Sequence, residues 1–308
     1  MIILGDRYTF STIELERLKR RFNSITLISY RDKIAKESIN AVDQIINNRE
    51  VKIIVLNTKA KLPHTFLTHL TRLELKGIKY ITLNNFLEEY LDKCYINLDS
   101  GNASFLEDIH AYTPFQYFQK RLIDYFSSLT LLPLVFVTIC YSYFRVRKES
   151  PGSLFFQQKR IGLNEREFTC VKLRSMHLDA EKDGAQFAIE DDPRTFPWGK
   201  KIRHNKLDEL IQIWNVLKGD MHFVGPRPER KIWTKEFEKS IPYYTQRHVV
   251  SPGITGLAQI KYQYGSGKLD AEQKLMYDLY YIKNWSFFFD IKIIWETAIF
   301  VLIKKRDD

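Results

Sequence analysis

The sequence predicts an α/β protein in two parts, and three observations lead to this prediction. Strand-like and helix-like segments alternate through the N-terminal third, a long apolar segment follows, and the remainder mixes both patterns with many basic residues. A length of 308 residues exceeds that of a usual single domain and favours two, each large enough to bury a core. We therefore predict domains at residues 1–112 and 113–308.

Four short runs rich in β-branched residues punctuate the first part, with helical patterns between them. The predicted strands are Ile2–Leu4, Ile25–Ser29, Ile53–Leu56 and Tyr80–Leu83, and the predicted helices are Thr12–Phe22, Ile34–Ile46 and Thr65–Leu75. This alternation indicates βαβ units and a parallel, doubly wound sheet, as in a small Rossmann-like domain.

The first βα turn of this domain, Leu4-Gly5-Asp6-Arg7, carries one glycine where a dinucleotide-binding turn needs three. This argues against a bound dinucleotide and favours a structural or regulatory domain. A loop rich in turn residues, Asp99 to Asn102, leads toward Thr113-Pro114 and is predicted to be a linker.

An apolar segment, Leu122 to Phe144, is long enough to cross a bilayer, which takes about 20 residues. Basic residues flank it, Lys120-Arg121 before and Arg145, Arg147 and Lys148 after. Positive charge at both ends favours both ends on the cytoplasmic side. A helix that breaks at Pro133 and returns within one leaflet satisfies this, with Ser128 or Thr130 meeting the freed backbone carbonyl. A plain transmembrane helix is the alternative.

Charge and cysteine content narrow the partners and the compartment. A formal charge of +10 indicates anionic partners: phosphates, nucleic acid or an anionic membrane surface. Cys94, Cys140 and Cys170 lie far apart with no CxxC spacing, which argues against a zinc site or a disulfide framework and fits a reducing compartment. The first residues lack the pattern of a secretory signal, so we expect a cytoplasmic N-terminus.

A second apolar segment, Trp285 to Ile303, is interrupted by Asp290, Lys292 and Glu296 and is followed by Lys304-Lys305-Arg306. This pattern favours an amphipathic helix at the membrane interface with aromatic anchors. A buried core helix is the alternative.

The run from Lys206 to Leu217 reads as a helix that contains two adjacent acids, Asp208 and Glu209. Its apolar stripe, predicted to be core, is Leu207, Leu210, Ile211, Trp214 and Leu217. With Asn205 as N-cap, both acids fall in the first turn, where backbone amides and the helix dipole favour anions. Acids at this place are commonplace, so a functional role needs further support.

Basic residues around this acidic pair supply that support. A carboxylate that is ionised at neutral pH can act as a nucleophile without a separate base, and it can ligate a hard cation. Phosphoryl transfer needs charge neutralised on phosphate oxygens, by Mg²⁺ and by basic side chains. The candidates for phosphate or substrate binding are Lys172, Arg174, Arg203, Arg227 and Arg247. Each of these alone is more often a solvated surface charge.

Many short motifs follow one another in order from about Phe118 to the C-terminus. They are Lys120-Arg121-Leu122-Ile123-Asp124, Ser150-Pro151-Gly152, Phe155-Phe156-Gln157-Gln158, Arg160-Ile161-Gly162, Lys172-Leu173-Arg174-Ser175-Met176, Leu207-Asp208-Glu209-Leu210, Trp214 to Met221, Gly225-Pro226-Arg227-Pro228-Glu229 and Pro252-Gly253-Ile254-Thr255-Gly256. In these motifs the chain resembles the bacterial sugar transferase family, the monotopic polyprenyl-phosphate glycosyl-1-phosphate transferases.

The resemblance implies a re-entrant membrane helix at 118–148, a catalytic part at 149–308, and ping-pong catalysis through a covalent phosphosugar-aspartyl intermediate. By this resemblance Asp208 is the nucleophile and a Mg²⁺ ligand, Glu209 is its partner, and Arg203 and Arg227 bind phosphate. The N-terminal part resembles the Rossmann-like domain of larger members, here without the four-helix membrane bundle that often precedes it.

Three positions depart from the family pattern. Leu132 precedes Pro133, where the family often has a serine at the helix break. Lys206 stands where serine is frequent, and Ile211 where proline is common. Neither of these last two changes removes a reacting group.

We therefore expect an enzyme that moves a sugar-1-phosphate from a UDP-sugar to polyprenyl (undecaprenyl) phosphate and releases UMP. It would act at the cytoplasmic face of the bacterial inner membrane, in the first membrane step of surface glycan assembly. Membrane lipids and a second copy of the chain are further candidate partners. The residues leave the donor sugar open, and the loop Tyr262 to Lys268 is predicted to lie near it.

The alternative function is a non-catalytic membrane-surface or regulatory protein whose basic patch binds anionic lipid. It explains the charge and both apolar segments, but not the acidic pair together with Gly225-Pro226-Arg227-Pro228. Nucleic acid is not an expected partner, because the basic residues are interleaved with membrane-type segments instead of forming a recognised module.

Overall fold

The computed structural model describes residues 1–28, 35–48, 50–59, 61–96, 104–182, 184, 186–187, 189, 191–262, 265 and 267–303. Their contacts divide the chain into an N-terminal unit, Met1–Tyr95, and a C-terminal unit, Ile96–Asp308. A mixed α/β architecture with a parallel sheet and one long apolar helix confirms the predicted class. The ranges 1–112 and 113–308 stay predictions, and the linker Asp99 to Asn102 lies outside the described residues.

The N-terminal unit is a four-stranded parallel sheet with helices between its strands. The strands are β1 (Ile2–Leu4), β2 (Thr26–Ile28), β3 (Ile53–Leu56) and β4 (Lys79–Thr82), in the order β2-β1-β3-β4. The helices are α1 (Thr12–Lys19), α2 (Ala35–Asn48), α3 (His64–Leu75) and α4 (Leu83–Leu91). Ile2, Leu4 and Ile54 are fully buried, as expected for a sheet covered on both faces. The sequence did not predict α4.

The first βα turn of this unit is filled by its own side chains. The Asn57 amide donates to the Gly5 and Tyr8 carbonyls and its oxygen accepts from the Tyr8 amide. Glu14 closes a capping box on α1 and forms a buried ion pair with Lys93. A carboxylate of the chain thus lies at the helix N-terminus, where a dinucleotide-binding fold holds pyrophosphate. This packing is a physical reason to expect no dinucleotide there.

The C-terminal unit contains the longest helix among the described residues, α5 (Pro114–Glu149), which has 36 residues and therefore a length of about 54 Å. Thr113 and Gln116 close a capping box at its start. It is the one described helix that is long and apolar enough to cross a membrane, judged by length and composition. It is assigned as helix through Pro133, and a re-entrant course stays a prediction.

The predicted hydroxyl contacts at the proline are wrong. Thr130 Oγ1 donates to the Phe126 carbonyl at 2.9 Å. Ser128 Oγ is buried without a hydrogen-bond partner among the described residues. A hydroxyl in a helix reaches the carbonyl four residues earlier. Neither side chain is therefore placed to reach the carbonyl of Leu129, which Pro133 leaves without its usual donor.

Helix α5 and the last helix, α11 (Phe287–Ile303), bury polar groups and expose apolar ones. The polar side chains that α5 buries are Lys120, Asp124, Ser127, Ser128, Thr138 and Ser142. The phenylalanines that α5 exposes are Phe115, Phe118, Phe126, Phe136 and Phe144. On α11 Asp290 is buried, whereas Phe288, Ile291, Trp295 and Ile299 are exposed. This reverses the arrangement usual in water.

The exposed face of α11 argues against the alternative of a buried core helix. Its position at a membrane interface stays a prediction, and the basic run Lys304-Lys305-Arg306 lies outside the described residues.

The remaining elements of the C-terminal unit form a mixed α/β body. An antiparallel hairpin joins β5 (Phe155–Ile161) to β6 (Glu167–Leu173), and β7 (His222–Val224) pairs in parallel with β8 (Gly253–Thr255). The helices are α6 (Pro197–His204), α7 (Ile213–Lys218), α8 (Lys231–Ser240), α9 (Leu257–Lys261) and α10 (Lys268–Lys283). Short 3₁₀ helices span Ser104–Asp108, Leu163–Glu165, Leu210–Gln212 and Tyr244–Val249.

Candidate active site

The acidic pair lies in a turn after α6 and not in the first turn of a helix. Helix α6 ends with Lys206 in the left-handed region, at φ +57°. The amides of Lys206 and Leu207 bond back to the carbonyls of Arg203 and Ile202, at 3.0 and 2.8 Å, which is a Schellman ending. Asn205 is therefore the C-cap of α6, and its predicted role as N-cap is wrong.

The helix after the acids starts later than predicted, and its buried face differs. Leu210–Gln212 form a 3₁₀ helix and α7 begins at Ile213. Trp214, predicted to be core, is 64% exposed, whereas Gln212, Asn215 and Val216 are buried. A turn and a 3₁₀ segment advance the chain at a different angle per residue, so a 3.6-residue stripe counted from Leu207 loses its phase.

Strand β6 holds the acidic pair in place. The Leu173 amide donates to the Asp208 carbonyl at 2.9 Å. Farther along the same strand, the Asn215 side chain accepts from the Val171 amide and donates to the Thr169 carbonyl, at 3.1 and 2.7 Å. These contacts bring Lys172 of β6 beside the acids.

Glu209 is held by two cations. Arg227 donates to it through both terminal nitrogens, at 2.7 Å to Oε1 and 3.2 Å to Oε2, and Lys172 Nζ lies 2.5 Å from Oε1. Burial alone would raise the pKa of Glu209, but Arg227 and Lys172 hold it well below its usual value. Glu209 is therefore a fixed anion, and its charge in turn raises the pKa of Arg227.

Asp208 has a different environment. It is 7% exposed, and its carboxylate accepts no hydrogen bond from the described residues. Burial and then the nearby Glu209 charge raise the pKa of Asp208 to about 6, although Lys172 and Arg203 oppose the rise. Two adjacent carboxylates with pKa values pushed apart are typical of sites with divided chemical roles. Of the two acids, Asp208 has the higher pKa, and its carboxylate is the one without a hydrogen-bond partner among the described residues.

Both acids line a cleft in which cationic side chains outnumber acidic ones. The cleft has a volume of about 460 Å³. All five predicted basic residues line it, as do Arg160, Arg194, Lys206, Arg230 and Lys274. The acidic side chains that line it are Glu181, Asp208, Glu209 and Glu229. The excess of positive charge favours a ligand with several negative charges, such as a diphosphate.

The five predicted basic residues differ in the contacts that their side chains already make within the protein. Lys172 and Arg227 bind Glu209. The Arg203 side chain forms no hydrogen bond or ion pair within the described part of the chain, so its guanidinium is available to a ligand in the cleft. Arg174 is 4% exposed and donates to the Ser150 hydroxyl and to the carbonyls of Ser150, Ser153 and Met176. Phosphate binding by Arg174 stays a prediction, and its observed contacts anchor the segment that follows α5.

Arg247 lies directly behind Arg227. Its guanidinium forms a buried ion pair with Asp278, at 2.7 and 3.1 Å, and donates to the Tyr244 hydroxyl at 2.8 Å. One nitrogen also donates to the Arg227 carbonyl at 2.9 Å. Arg247 therefore fixes the backbone that carries Arg227, and a direct contact with phosphate stays a prediction.

Sequence reasoning did not select several residues of the cleft. Arg160 and Glu229 lie within the motifs quoted above, which was an available signal. Lys274 of α10 had none; it donates to the Gly265 carbonyl at 2.7 Å, and burial lowers its pKa. Phe187 and Trp233, stacked at 4.1 Å between ring centroids, also line the cleft.

The predicted sugar loop, Tyr262 to Lys268, is described only in part. Gly265 and Gly267 line the cleft, and Asp270 accepts from the Tyr262 hydroxyl and the Gly267 amide. Residues 263, 264 and 266 lie outside the described residues.

The Arg247–Asp278 pair gives a test of this arrangement. Asp278→Asn leaves the Arg247 charge buried without its counter-ion, and we expect the free energy of unfolding to fall by about 3–5 kcal/mol. Tryptophan fluorescence during chemical unfolding reports on this unit, because all five tryptophans lie in it. The matched control Asp191→Asn breaks an ion pair whose side chains are 61% and 74% exposed. Its effect is expected to stay within about 1 kcal/mol. Equal effects would contradict the assignment.

Comparisons with known proteins identify the family of the C-terminal part of the chain. A family profile described as bacterial sugar transferase matches residues 115–304, which is more than half of the chain. A UDP-N-acetylgalactosamine-undecaprenyl-phosphate N-acetylgalactosaminephosphotransferase of Aeromonas hydrophila is 40% identical over 190 residues, 62% of this chain and 45% of the relative.

Two further relatives differ in length. A UDP-glucose:undecaprenyl-phosphate glucose-1-phosphate transferase of Xanthomonas campestris pv. campestris is 44% identical over 163 residues, 52% of this chain and 34% of the relative. A protein of Bacillus subtilis named as an uncharacterized sugar transferase is 38% identical over 190 residues, 60% of this chain and 88% of the relative. The chain thus spans less than half the length of the Aeromonas and Xanthomonas proteins. By the extent of the family match, this chain belongs to the bacterial sugar transferase family.

Proposed function

We propose that this protein transfers a sugar-1-phosphate from a UDP-sugar to a polyprenyl phosphate such as undecaprenyl phosphate. The products are UMP and a polyprenyl-diphosphate-sugar, the first membrane intermediate of a surface glycan. The observation that carries the proposal is the Asp208 carboxylate, buried and uncommitted in a cationic cleft beside a fixed Glu209. The names of the Aeromonas and Xanthomonas relatives, which contain both a UDP-sugar and undecaprenyl phosphate, support the same reaction.

Asp208 is the proposed nucleophile. One carboxylate oxygen forms a bond to the sugar-proximal phosphorus of the donor, and the bond from that phosphorus to the bridging oxygen breaks, releasing UMP. An oxygen of the polyprenyl phosphate then attacks the same phosphorus and releases Asp208. A pKa of about 6 leaves the group ionised at neutral pH yet more basic than an exposed aspartate, which favours nucleophilic attack.

The cations around Asp208 have separate proposed roles. Arg227 and Lys172 fix Glu209, whose negative charge keeps Asp208 basic. Arg203, without a partner among the described residues, contacts phosphate oxygens of the donor. Such charge neutralisation is what a phosphoryl transfer site chiefly contributes. Arg247 holds the Arg227 carbonyl and in this way positions Arg227.

The donor set of the cleft fits Mg²⁺. This ion usually binds through one or two carboxylates together with substrate phosphates and water. Within the described ranges no group of three or more His, Cys, Asp or Glu residues forms a metal cage. Asp208 supplies one carboxylate of the kind required, while Glu209 is already paired with cations. When bound there, Mg²⁺ would neutralise charge on the diphosphate.

We place the reaction at the cytoplasmic face of the bacterial inner membrane, with the protein held on one leaflet. The exposed apolar faces of α5 and α11 support a lipid-facing surface, because a water-exposed surface of this kind is unfavourable. A non-catalytic membrane protein would share these faces. It would not need two adjacent carboxylates, one buried and one half-buried, with separated pKa values in a cationic cleft.

A UMP-release assay tests the reaction. With Mg²⁺, undecaprenyl phosphate and a panel of UDP-hexoses and UDP-N-acetylhexosamines, the wild-type protein is expected to release UMP from at least one donor. Asp208→Asn is expected to lower the rate at least about 1,000-fold, because the attacking group is lost. The matched control Asp179→Asn changes an exposed aspartate outside the cleft lining and is expected to keep full activity. Full activity in Asp208→Asn, or no UMP with any donor, would contradict the proposal.

A vesicle flotation assay tests the membrane surface. Phe126 and Phe136 are 74% and 68% exposed on α5. Changing both to Glu places charge where lipid is proposed, at about 3 kcal/mol for each charge at the bilayer centre, so the vesicle-bound fraction is expected to fall. Leu75→Glu, at a 90% exposed site on α3, is the control. Flotation that is equal for all three proteins would exclude this face as the lipid contact.

A further inference from the structure

Lys120, on the first part of α5, is a buried cation with three acceptors. Its Nζ donates to the Asp290 carboxylate at 2.8 Å, the Tyr281 hydroxyl at 2.8 Å and the Val224 carbonyl at 2.6 Å. Lys120 is 1% exposed and Asp290 is fully buried. An ammonium group has three donors, so this contact set is complete. Lys120 and Asp290 lie outside the cleft lining.

The Val224 carbonyl is what links this pair to the proposed site. Val224 ends β7, and Gly225-Pro226-Arg227 follow immediately. The Gly225 amide donates to the Thr255 carbonyl, and the Gly253 amide donates to the Pro226 carbonyl, each at 2.9 Å. A Cβ on Gly253 would lie 2.1 Å from the Gly225 nitrogen, so these backbones pack without room to shift. A displacement at Val224 is therefore transmitted to Arg227.

Neighbouring side chains of α5 bind the same region. Arg121 donates to the carbonyls of Val216 and Leu217 at 2.7 and 3.1 Å, at the end of the helix that follows the acidic pair. Asp124 accepts from the Phe223 amide at 2.7 Å and contacts His222 Nδ1 at 2.7 Å. One end of α5 thus holds β7, which precedes Arg227, and α7, which follows Glu209.

The kind of contact matters as much as its place. Apolar packing would attach α5 to this unit without the cost of burying charges, and such replacements often leave stability unchanged or improve it. Apolar contacts, however, tolerate sliding, whereas three directed hydrogen bonds from one ammonium group define the helix position along its axis and around it. The buried pair therefore specifies geometry.

We propose that Lys120 is a positioning residue for the reaction: with Asp290 it fixes the turn before Arg227, so that the seating of α5 sets the contact between Arg227 and Glu209. This inference rests on the proposed function and extends it. A second buried pair, Arg247–Asp278, holds the Arg227 carbonyl from the other side. The Lys120 pair reaches this turn from the proposed membrane helix α5.

The test is a double-mutant cycle between Lys120 and Arg227, read as single-turnover UMP release with enzyme in excess over the UDP-sugar and no acceptor. Lys120→Met is expected to slow release at least 10-fold in the wild-type background and less than 2-fold in the Arg227→Met background, because it acts through Arg227. Lys159→Met, at a lysine whose side chain is 78% exposed, is the control and is expected to change neither rate. Should Arg227→Met release no measurable UMP, the same cycle is read in the Kd for the UDP-sugar by calorimetry.

Two results would overturn the inference. One is a folded Lys120→Met protein with the wild-type rate, and the other is the same loss in both backgrounds, which would mean a general structural effect. The unfolding midpoint by tryptophan fluorescence identifies a variant that has not folded. In that case Tyr281→Phe, which keeps both charges and removes one partner of Lys120, replaces Lys120→Met in the cycle. We expect it to slow UMP release about 3-fold in the wild-type background and to have a smaller effect in the Arg227→Met background. A wild-type protein that releases no UMP would contradict the proposed function instead.

Discussion

The bidentate ion pair between Arg227 and Glu209 is the interaction on which the rest of the candidate site depends. It keeps the half-buried Glu209 ionised, and that fixed charge helps to raise the pKa of Asp208. The contact is itself held by two buried ion pairs, Lys120–Asp290 before the turn and Arg247–Asp278 behind it. Burying such charges costs desolvation free energy, and their hydrogen bonds are strongly directional, so the pairs favour one geometry.

Sequence reasoning selected residues that line one cleft, but it did not predict their contacts with one another. Asp208, Glu209 and the basic residues were selected because charge and motif order are readable along the chain. Asn205 was wrongly predicted as an N-cap because Lys206 adopts the left-handed conformation and ends α6 there. Glycine or asparagine usually occupies such a position, so a lysine gave no sequence signal for it. The partners of Arg174 and Arg247 were out of reach, because sequence gives the charge of an arginine but not the carbonyls and carboxylates around it.

In the N-terminal sheet and the two apolar helices, too, features with a local sequence signal were predicted and contacts between distant residues were not. The four strands were predicted close to their observed bounds, since β-branched runs between helical patterns are a strong local signal. Asp290 was interpreted as an interruption of an apolar helix, yet it points into the protein and binds Lys120 from a distant part of the chain. Which face of a helix is buried depends on its packing partner. With lipid as the proposed partner, the polar side chains face the protein and the apolar ones face outward.

The central claim is that Asp208 becomes covalently bonded to the phosphosugar. Its most direct measurement is intact-mass spectrometry after acid quenching of the protein with Mg²⁺ and a donor UDP-sugar but without polyprenyl phosphate, followed by peptide mapping. The account predicts an added sugar-phosphate mass on the peptide that contains Asp208, lost when polyprenyl phosphate is supplied. UMP release with an unmodified protein, or an adduct on another residue, would contradict it.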